Sequence, residues 1–339
     1  LHIIMNNSVK ILGPLAAVMI LVLLPLLTLT GPNAEFAFAV ILPCLALAAF
    51  FAGFIYRIVR WAQSPVPFSI PMVAGQEKSL PWIKDDKIES PGNNWAVTWR
   101  MFLEIFFFRS LFRNSRAELV AGQRLVYGGS RWLWLGGLAF HWSLLIIIFR
   151  HLRFFTEPVF LPVTWLTNLD SIFQFSLTTL FLSDFVILIA LTYLFLRRLV
   201  SPQIKYISQA SDYLALLLIL GVVISGVLMR WAFKVDVDAV KRLAISMITF
   251  RPAVIPNIGL AFYIHLMLVC TLIAYFPFSK MMHAPGILFS PTRNMKNDSR
   301  SVRHVNPWNL PVRVHTYEEY EDEFRKPMMA AGLPVEKKE

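Results

Sequence analysis

Cysteine is almost missing. The chain has two, Cys44 and Cys270, each inside an apolar run. No Cys-x-x-Cys-His occurs, which excludes covalently attached c-type haem. No cysteine cluster occurs either, which excludes an iron–sulfur centre held by this chain itself. Both cysteines are therefore expected to be small buried hydrophobes. Charge is also scarce: 16% of residues are charged and 56% are hydrophobic, with mean hydropathy +0.57. That excludes an ordinary soluble globular domain. Acidic residues are the rarer sign, 21 Asp and Glu against 32 Lys and Arg. In a soluble protein the net charge of +11 would point to nucleic acid. Here the basic residues gather at alternate ends of apolar runs, as in cytoplasmic loops of membrane proteins, so no nucleic-acid partner is expected. There is no internal repeat and no low-complexity tract.

What is present is a set of apolar runs of about twenty residues, the length that crosses a bilayer as helix. Six are expected: Ile11 to Thr30, Phe36 to Tyr56, Trp132 to Phe155, Ile172 to Leu196, Tyr213 to Trp231 and Asn257 to Ser279. The first has no small-residue cleavage site behind it and is taken as a retained helix. The expected fold is an all-α integral membrane protein, a helical bundle that binds haem. An extra helix occupies 1–35, the membrane domain 36–285 with a long connection at 57–131, and a partner-binding tail 286–339.

Basic residues orient the bundle. The connection from Arg57 to Arg131 carries eleven Lys and Arg, whereas Gly31–Glu35 and Thr156–Ser171 carry none. Both termini and the second and fourth connections are therefore expected in the cytoplasm. The fifth connection, Ala232 to Pro256, runs against the rule with Lys234, Lys241, Arg242 and Arg251. Two polar segments are not featureless. Thr98–Arg116 is aromatic and basic and too short to span, which suits a helix on the cytoplasmic leaflet and equally a partner-docking helix. The tail has prolines and an acidic run, Tyr317–Glu323. Its composition suits disorder, while Trp308, Leu310, Val312 and Val314 suit an extended arm that orders on a partner.

Four histidines lie in or beside the apolar runs: His141, His151, His265 and His283. Ionisable groups in a membrane are costly and mark function. Ten residues set His141 and His151 about 15 Å apart along a helix axis, too far for one metal and suited to two haems at different depths. Opposite helix directions pair His151 with His265 near the outer face and His141 with His283 near the inner face. The eighteen residues from His265 to His283 would span about 27 Å of regular helix, a mismatch that helix tilt and a break at Pro277 could absorb. Two imidazoles close both axial positions of an iron, which then carries electrons and does not bind substrate. Haem propionates need cations: Arg150, Arg153 and Arg230 at the outer end, and Arg131, Arg197, Arg198 and Lys280 at the inner end. Each also suits ordinary snorkelling to the interface. Asp184, placed mid-helix, suits a hydrogen bond from a ligand imidazole, proton transfer from a quinol, or an interhelical hydrogen bond. A haem-free proton-coupled transporter would use the same groups, but inverted repeats and broken midplane helices are not seen. A structural anchor would leave the histidines without a role.

The histidine spacing, ten on one helix and eighteen on another, resembles that of the nitrate reductase gamma-subunit family, the dihaem membrane cytochromes b, over roughly 36–285. The runs HWSLLIIIFRHLRFFTEP, FSKMMHAPG and RHVNPWN resemble more narrowly the DsrM subunits of DsrMKJOP complexes in dissimilatory sulfur metabolism. The resemblance implies two haems b and exchange of electrons with menaquinone or ubiquinone near His151, with Arg150 and Arg153 as contacts. It further implies transfer to or from a DsrK-like iron–sulfur subunit in the cytoplasm, docked on Met101–Phe112 and the tail. DsrJ-like multihaem cytochrome c, DsrO-like ferredoxin and DsrP-like membrane subunits are the implied companions. The long second connection and the tail depart from the nitrate reductase type.

Overall fold

A computed structural model describes residues 2–64, 86–113, 116–120, 124–175, 178–256, 258–290, 293–297 and 313–337. The chain is a predominantly α-helical, multi-pass membrane protein. Among the described residues five helices are long and apolar enough to cross a bilayer: Val9–Thr28, Pro32–Ala62, Arg131–Phe154, Ala210–Trp231 and Leu260–Phe278. We label the main helices α1 (His2–Thr28), α2 (Pro32–Ala62), α3 (Asn94–Phe107), α4 (Arg109–Phe112), α5 (Arg131–His151), α6 (Leu161–Asp170), α7 (Leu182–Val200), α8 (Ala210–Trp231), α9 (Val237–Ile248), α10 (Leu260–Tyr275) and α11 (Tyr317–Ala330).

The expected fourth span, Ile172–Leu196, is corrected. At its start Ser171–Phe175 pairs antiparallel with Thr178–Phe181, and α7 starts only at Leu182. Polar Gln174, Thr178 and Thr179 between aromatic and aliphatic residues break the helical period and favour a strand. Asp184 consequently sits in the first turn of α7 and not at mid-helix, where an anion meets the positive end of the helix dipole. A second hairpin pairs Arg116–Val120 with Arg124–Gly128, so the fold is not purely helical.

α7 packs on α5 and α8; α8 packs on α1 and α10; α10 packs on α1 and α2. Phe140, Ile187, Leu191 and Ile219 form the core between α5, α7 and α8, and Val18, Leu217, Leu218 and Leu268 the core between α1, α8 and α10. The outward faces are apolar, as lipid requires: Ile55, Ile148 and Ile189 are all exposed. Cys270 is buried as expected, but Cys44 is exposed on the surface of α2.

The break expected at Pro277 is present. α10 ends at Tyr275, a 3-10 turn covers Phe276–Phe278, and Ser279 is extended. Proline has no N–H to donate and its ring crowds the preceding turn. α2 closes on this break at Gly53, where a Cβ would stand 2.8 Å from Pro277. The chain then turns through Lys280–Met282 into His283.

The tail is not wholly extended. The acidic run lies in α11, opened by a capping box in which Thr316 Oγ accepts from the Glu319 N–H and the Glu319 carboxylate accepts from the Thr316 N–H. Thr followed three residues later by Glu is a helix-start signal, so α11 was legible in the sequence. Val314 is exposed; Trp308, Leu310 and Val312 lie outside the described residues. Much of the long second connection does too, Lys78 and Lys84 included.

Candidate functional site

The four histidines lie toward two ends of the bundle, and at one end two of their rings meet. The His141 and His283 ring centroids are 6.0 Å apart with their planes at 87°. At the other end His151 lies within electrostatic reach of His265. Two imidazoles bound through Nε2 to opposite sides of one metal, with bonds of about 2 Å, would set their ring centres about 6 Å apart. The inner pair has that spacing.

Each imidazole is oriented through Nδ1. His141 Nδ1 donates to the Gly137 carbonyl at 2.7 Å, His151 Nδ1 to the Ile147 carbonyl at 2.7 Å, and His283 Nδ1 to the Lys280 carbonyl at 2.8 Å. A carbonyl oxygen only accepts, so the proton in each ring is on Nδ1. His265 Nδ1 lies 2.9 Å from Ser225 Oγ. That hydroxyl already donates to the Val222 carbonyl, so here too Nδ1 carries the proton and Oγ accepts it. All four rings thus keep a lone pair on Nε2, and among the described residues nothing donates to it. Locking one nitrogen by hydrogen bond so that the other can bind metal is the usual build of histidine ligands. The residues therefore fit two bis-imidazole haems. Gly226 makes room for the His265 ring: a Cβ there would lie 3.3 Å from Cε1.

Aromatic rings surround the inner pair. Phe108 and Phe140 each stand edge-on to His141 at 4.8 Å. Phe108 is placed by the α3–α4 corner, where it takes φ 49°. At the rim Lys280 Nζ and Arg198 Nη1 share Asp212, at 2.7 and 3.5 Å, and Arg131 lies over Phe112. No partner of Arg197 is found among the described residues.

Ions surround the outer pair. Arg150, buried in α5, pairs with Asp170 Oδ2, lies 3.1 Å from Asp184 Oδ1, and donates to Ser183 Oγ at 3.2 Å. Arg230 pairs with the other Asp184 oxygen at 2.5 Å. Asp170 also accepts from the Ser183 N–H at 2.9 Å and from Ser183 Oγ at 2.7 Å. Phe181 meets both guanidinium groups, its ring centre 3.7 Å from Arg150 Cζ and 4.5 Å from Arg230 Cζ. Arg153, two residues beyond His151, differs from both. It stacks on Phe154 at 4.8 Å and has no carboxylate partner among the described residues. A groove of about 680 Å³ starts at the residue just before it, Leu152, and is lined mostly by apolar side chains such as Phe155, Phe160 and Leu161, with Thr156 and Glu157 among them.

Of the expected outer cations, then, Arg150 and Arg230 are taken up by carboxylates and Arg153 is available. Asp184 joins the two arginines and, among the described residues, makes no hydrogen bond to an imidazole. Asp170, Ser183 and Ser225 were missed from the sequence. Asp170 lies in a connection between apolar runs, where an aspartate is ordinary, and a lone serine in an apolar run carries no signal of its own.

The third and fifth connections meet at this end through an ion pair between Lys241 and Glu157, while Arg242 pairs with Asp238 one turn away on α9. Two of the four cations that ran against the orientation rule therefore have local partners.

Comparison with known proteins identifies the family. The family model for the nitrate reductase gamma subunit matches residues 101–304. An Hdr-like menaquinol oxidoreductase cytochrome b-like subunit of Archaeoglobus fulgidus is 46% identical over 293 residues, covering 84% of this chain and 83% of that protein. Its counterpart in Archaeoglobus profundus is 43% identical over 276 residues, 78% of this chain and 82% of that one. The chain belongs to the nitrate reductase gamma subunit family.

Proposed function

We propose that this family member is the dihaem cytochrome b subunit of a membrane oxidoreductase. It exchanges electrons with menaquinol at its outer end and with a cytoplasmic iron–sulfur subunit at its inner end. The observation that carries the reading is the common state of four imidazoles: Nδ1–H held by an acceptor, Nε2 free. His141 and His283 would hold the inner haem, His151 and His265 the outer one. A haem closed on both axial sides supplies one-electron transfer without substrate binding.

The chain's own residues do the rest. Ser225 and the three backbone carbonyls hold the rings at fixed rotation. Arg153, the uncommitted cation at the outer end, would meet a haem propionate or the quinone oxygen, and the groove beside it would take the quinone ring. Asp184 and Asp170 would accept protons there, with Arg150 and Arg230 holding the two carboxylates in place. Lys280 and Arg198 would serve the inner propionates.

The relatives' name supports menaquinol as the quinone. The three motif runs support a DsrM-like place beside DsrK-, DsrJ-, DsrO- and DsrP-like subunits, with the tail as a docking surface. α7, cationic at one end and carrying Asp184 at the other, would be a sixth span. The loop cations support cytoplasmic termini, and the division into 1–35, 36–285 and 286–339 follows from the same reading.

A reduced-minus-oxidised visible spectrum of the purified protein tests the proposal. Two low-spin b-type haems per chain are expected. His141→Ala and His283→Ala should each lose the inner haem, His151→Ala and His265→Ala the outer. Full haem content in any of the four variants rejects that ligand, and a haem-free wild type rejects the function.

A further inference from the structure

α3 is amphipathic the wrong way round for a water-exposed helix. Trp95, Trp99, Phe102 and Phe106 recur at intervals of four, three and four, which places them within an arc of about 60° at 100° per residue. All four are exposed, Trp95 by 84%. Trp99 stacks on Phe102 at 5.3 Å, and Phe102 meets Phe106 at 5.0 Å. The opposite face holds the ions. Arg100 is buried and donates to the carbonyls of Glu89, Arg293 and Met295. Glu104 is buried and accepts from the Ser110 N–H and hydroxyl.

The C-terminal end of α3 adjoins the spanning helix α5. The Phe106 ring lies 6.1 Å from Trp142. Trp142 Nε1 donates to the Phe106 carbonyl at 3.0 Å, and Trp134 Nε1 to the Phe107 carbonyl at 2.7 Å. Trp142 is eleven residues into α5, about 16 Å along its axis, and its outer face is exposed. The aromatic stripe is therefore continuous with the lipid-facing surface of a spanning helix. The last carbonyls of a helix have no partner of their own. In hydrocarbon no water can satisfy such orphans, and two indole N–H groups satisfy two of them.

We propose that α3 is embedded in the bilayer at the inner end. Its Trp95–Trp99–Phe102–Phe106 face contacts acyl chains and headgroups, and its Arg100–Glu104 face clasps the segments around Glu89 and Arg293–Met295. The occupant of the aromatic face is lipid, not the iron–sulfur partner. The helix also carries Phe108 onto His141, so lipid contact holds that corner against the inner imidazole. The placement does not depend on haem.

Spin labels test it. The full chain is reconstituted in phosphatidylcholine–phosphatidylglycerol liposomes in a Cys44→Ala background, with a nitroxide on Trp99→Cys, Phe102→Cys or, as an aqueous control, Tyr320→Cys on α11. Oxygen should out-collide a nickel chelate at 99 and 102, and the order should reverse at 320. Nickel access at 99 and 102 equal to that at 320 overturns the proposal, as does nickel access that disappears only when a partner subunit is added. Trp95→Phe/Trp99→Phe gives a gentler readout. The tryptophan fluorescence quenched by brominated lipid should fall in that variant, and an unchanged quenched fraction overturns the proposal.

Discussion

The end of the bundle with His141 and His283 is built of aromatic rings and backbone carbonyls, whereas the end with His151 and His265 is built of ions. At the inner end Phe108 and Phe140 flank His141, and the charges stay at the rim, where Asp212 is shared by Lys280 and Arg198. At the outer end Arg150, Asp170, Asp184 and Arg230 form an internal chain of ion pairs. On the proposed function the contrast has a chemical reason. Passing an electron to a protein partner needs no proton acceptor, so rings suffice. Quinol oxidation releases protons with its electrons, so carboxylates belong beside it. Buried ions are costly unless paired, and here two aspartates are paired with two arginines.

The contrast breaks most readily at Asp170. Asp170→Ala would leave Arg150 buried with one of its two carboxylate partners, a cost of about 3–5 kcal/mol. The rim substitution Arg198→Ala should cost about 1 kcal/mol or less, since that pair is partly solvated. Thermal unfolding of the detergent-solubilised protein measures both. Equal losses would mean that the outer ions do not act as a buried network.

Arg153→Gln should leave haem content and stability nearly unchanged. It should slow reduction by a menaquinol analogue about tenfold to a hundredfold, the value of one charge-assisted hydrogen bond of about 1.5–3 kcal/mol. Arg131→Gln at the inner end should not alter that rate. If the two variants behave alike in stopped-flow reduction, quinone contact is not confined to the outer end.

Ser225→Ala removes the one side-chain acceptor among the four imidazole supports. Outer haem affinity should fall about tenfold, the lower end of the range for such supporting groups, and the outer haem's midpoint potential should shift. The inner haem's potential, titrated in the same sample, should stay put; movement of both would mean the two sites are not independent.

The smallest effect is expected from acid at the inner end. Burial raises the Asp86 pKa, but the backbone N–H groups of Glu89 and Ile88, with Arg109 and Arg113 nearby, outweigh it and hold the carboxyl below its ordinary 3.8. A depressed folded value means that stabilisation is complete above the ordinary value and is lost as pH falls through the folded one. Hydrogen exchange at Ile88 and Glu89 should therefore be protected at about pH 6 and lose protection toward about pH 3. Protection that is flat across that range would remove Asp86 from the loop's support.

Much of this was legible from one-dimensional spacing. Apolar runs of bilayer length mark the spans because lipid leaves the backbone no partner but itself. Histidines ten apart mark two depths because helix rise is constant. Pro277 marks a break because it has no N–H to donate. The hairpin at Ser171–Phe181 was hidden because its hydropathy matches a span, and only its alternation shows otherwise.

Interactions between residues far apart in the chain were settled by tertiary structure alone. Asp170, Asp184, Arg150 and Arg230 come from four different helices, and nothing local to any of them predicts that Arg150 is occupied while Arg153 is not. Likewise the tautomer of His265 depends on Ser225, forty residues earlier, whose hydroxyl proton is already committed to Val222. Local sequence determines which residue types lie at which depth, because helix geometry is periodic. Which charge meets which depends on how helices rotate and pack, and that is decided only when the bundle closes.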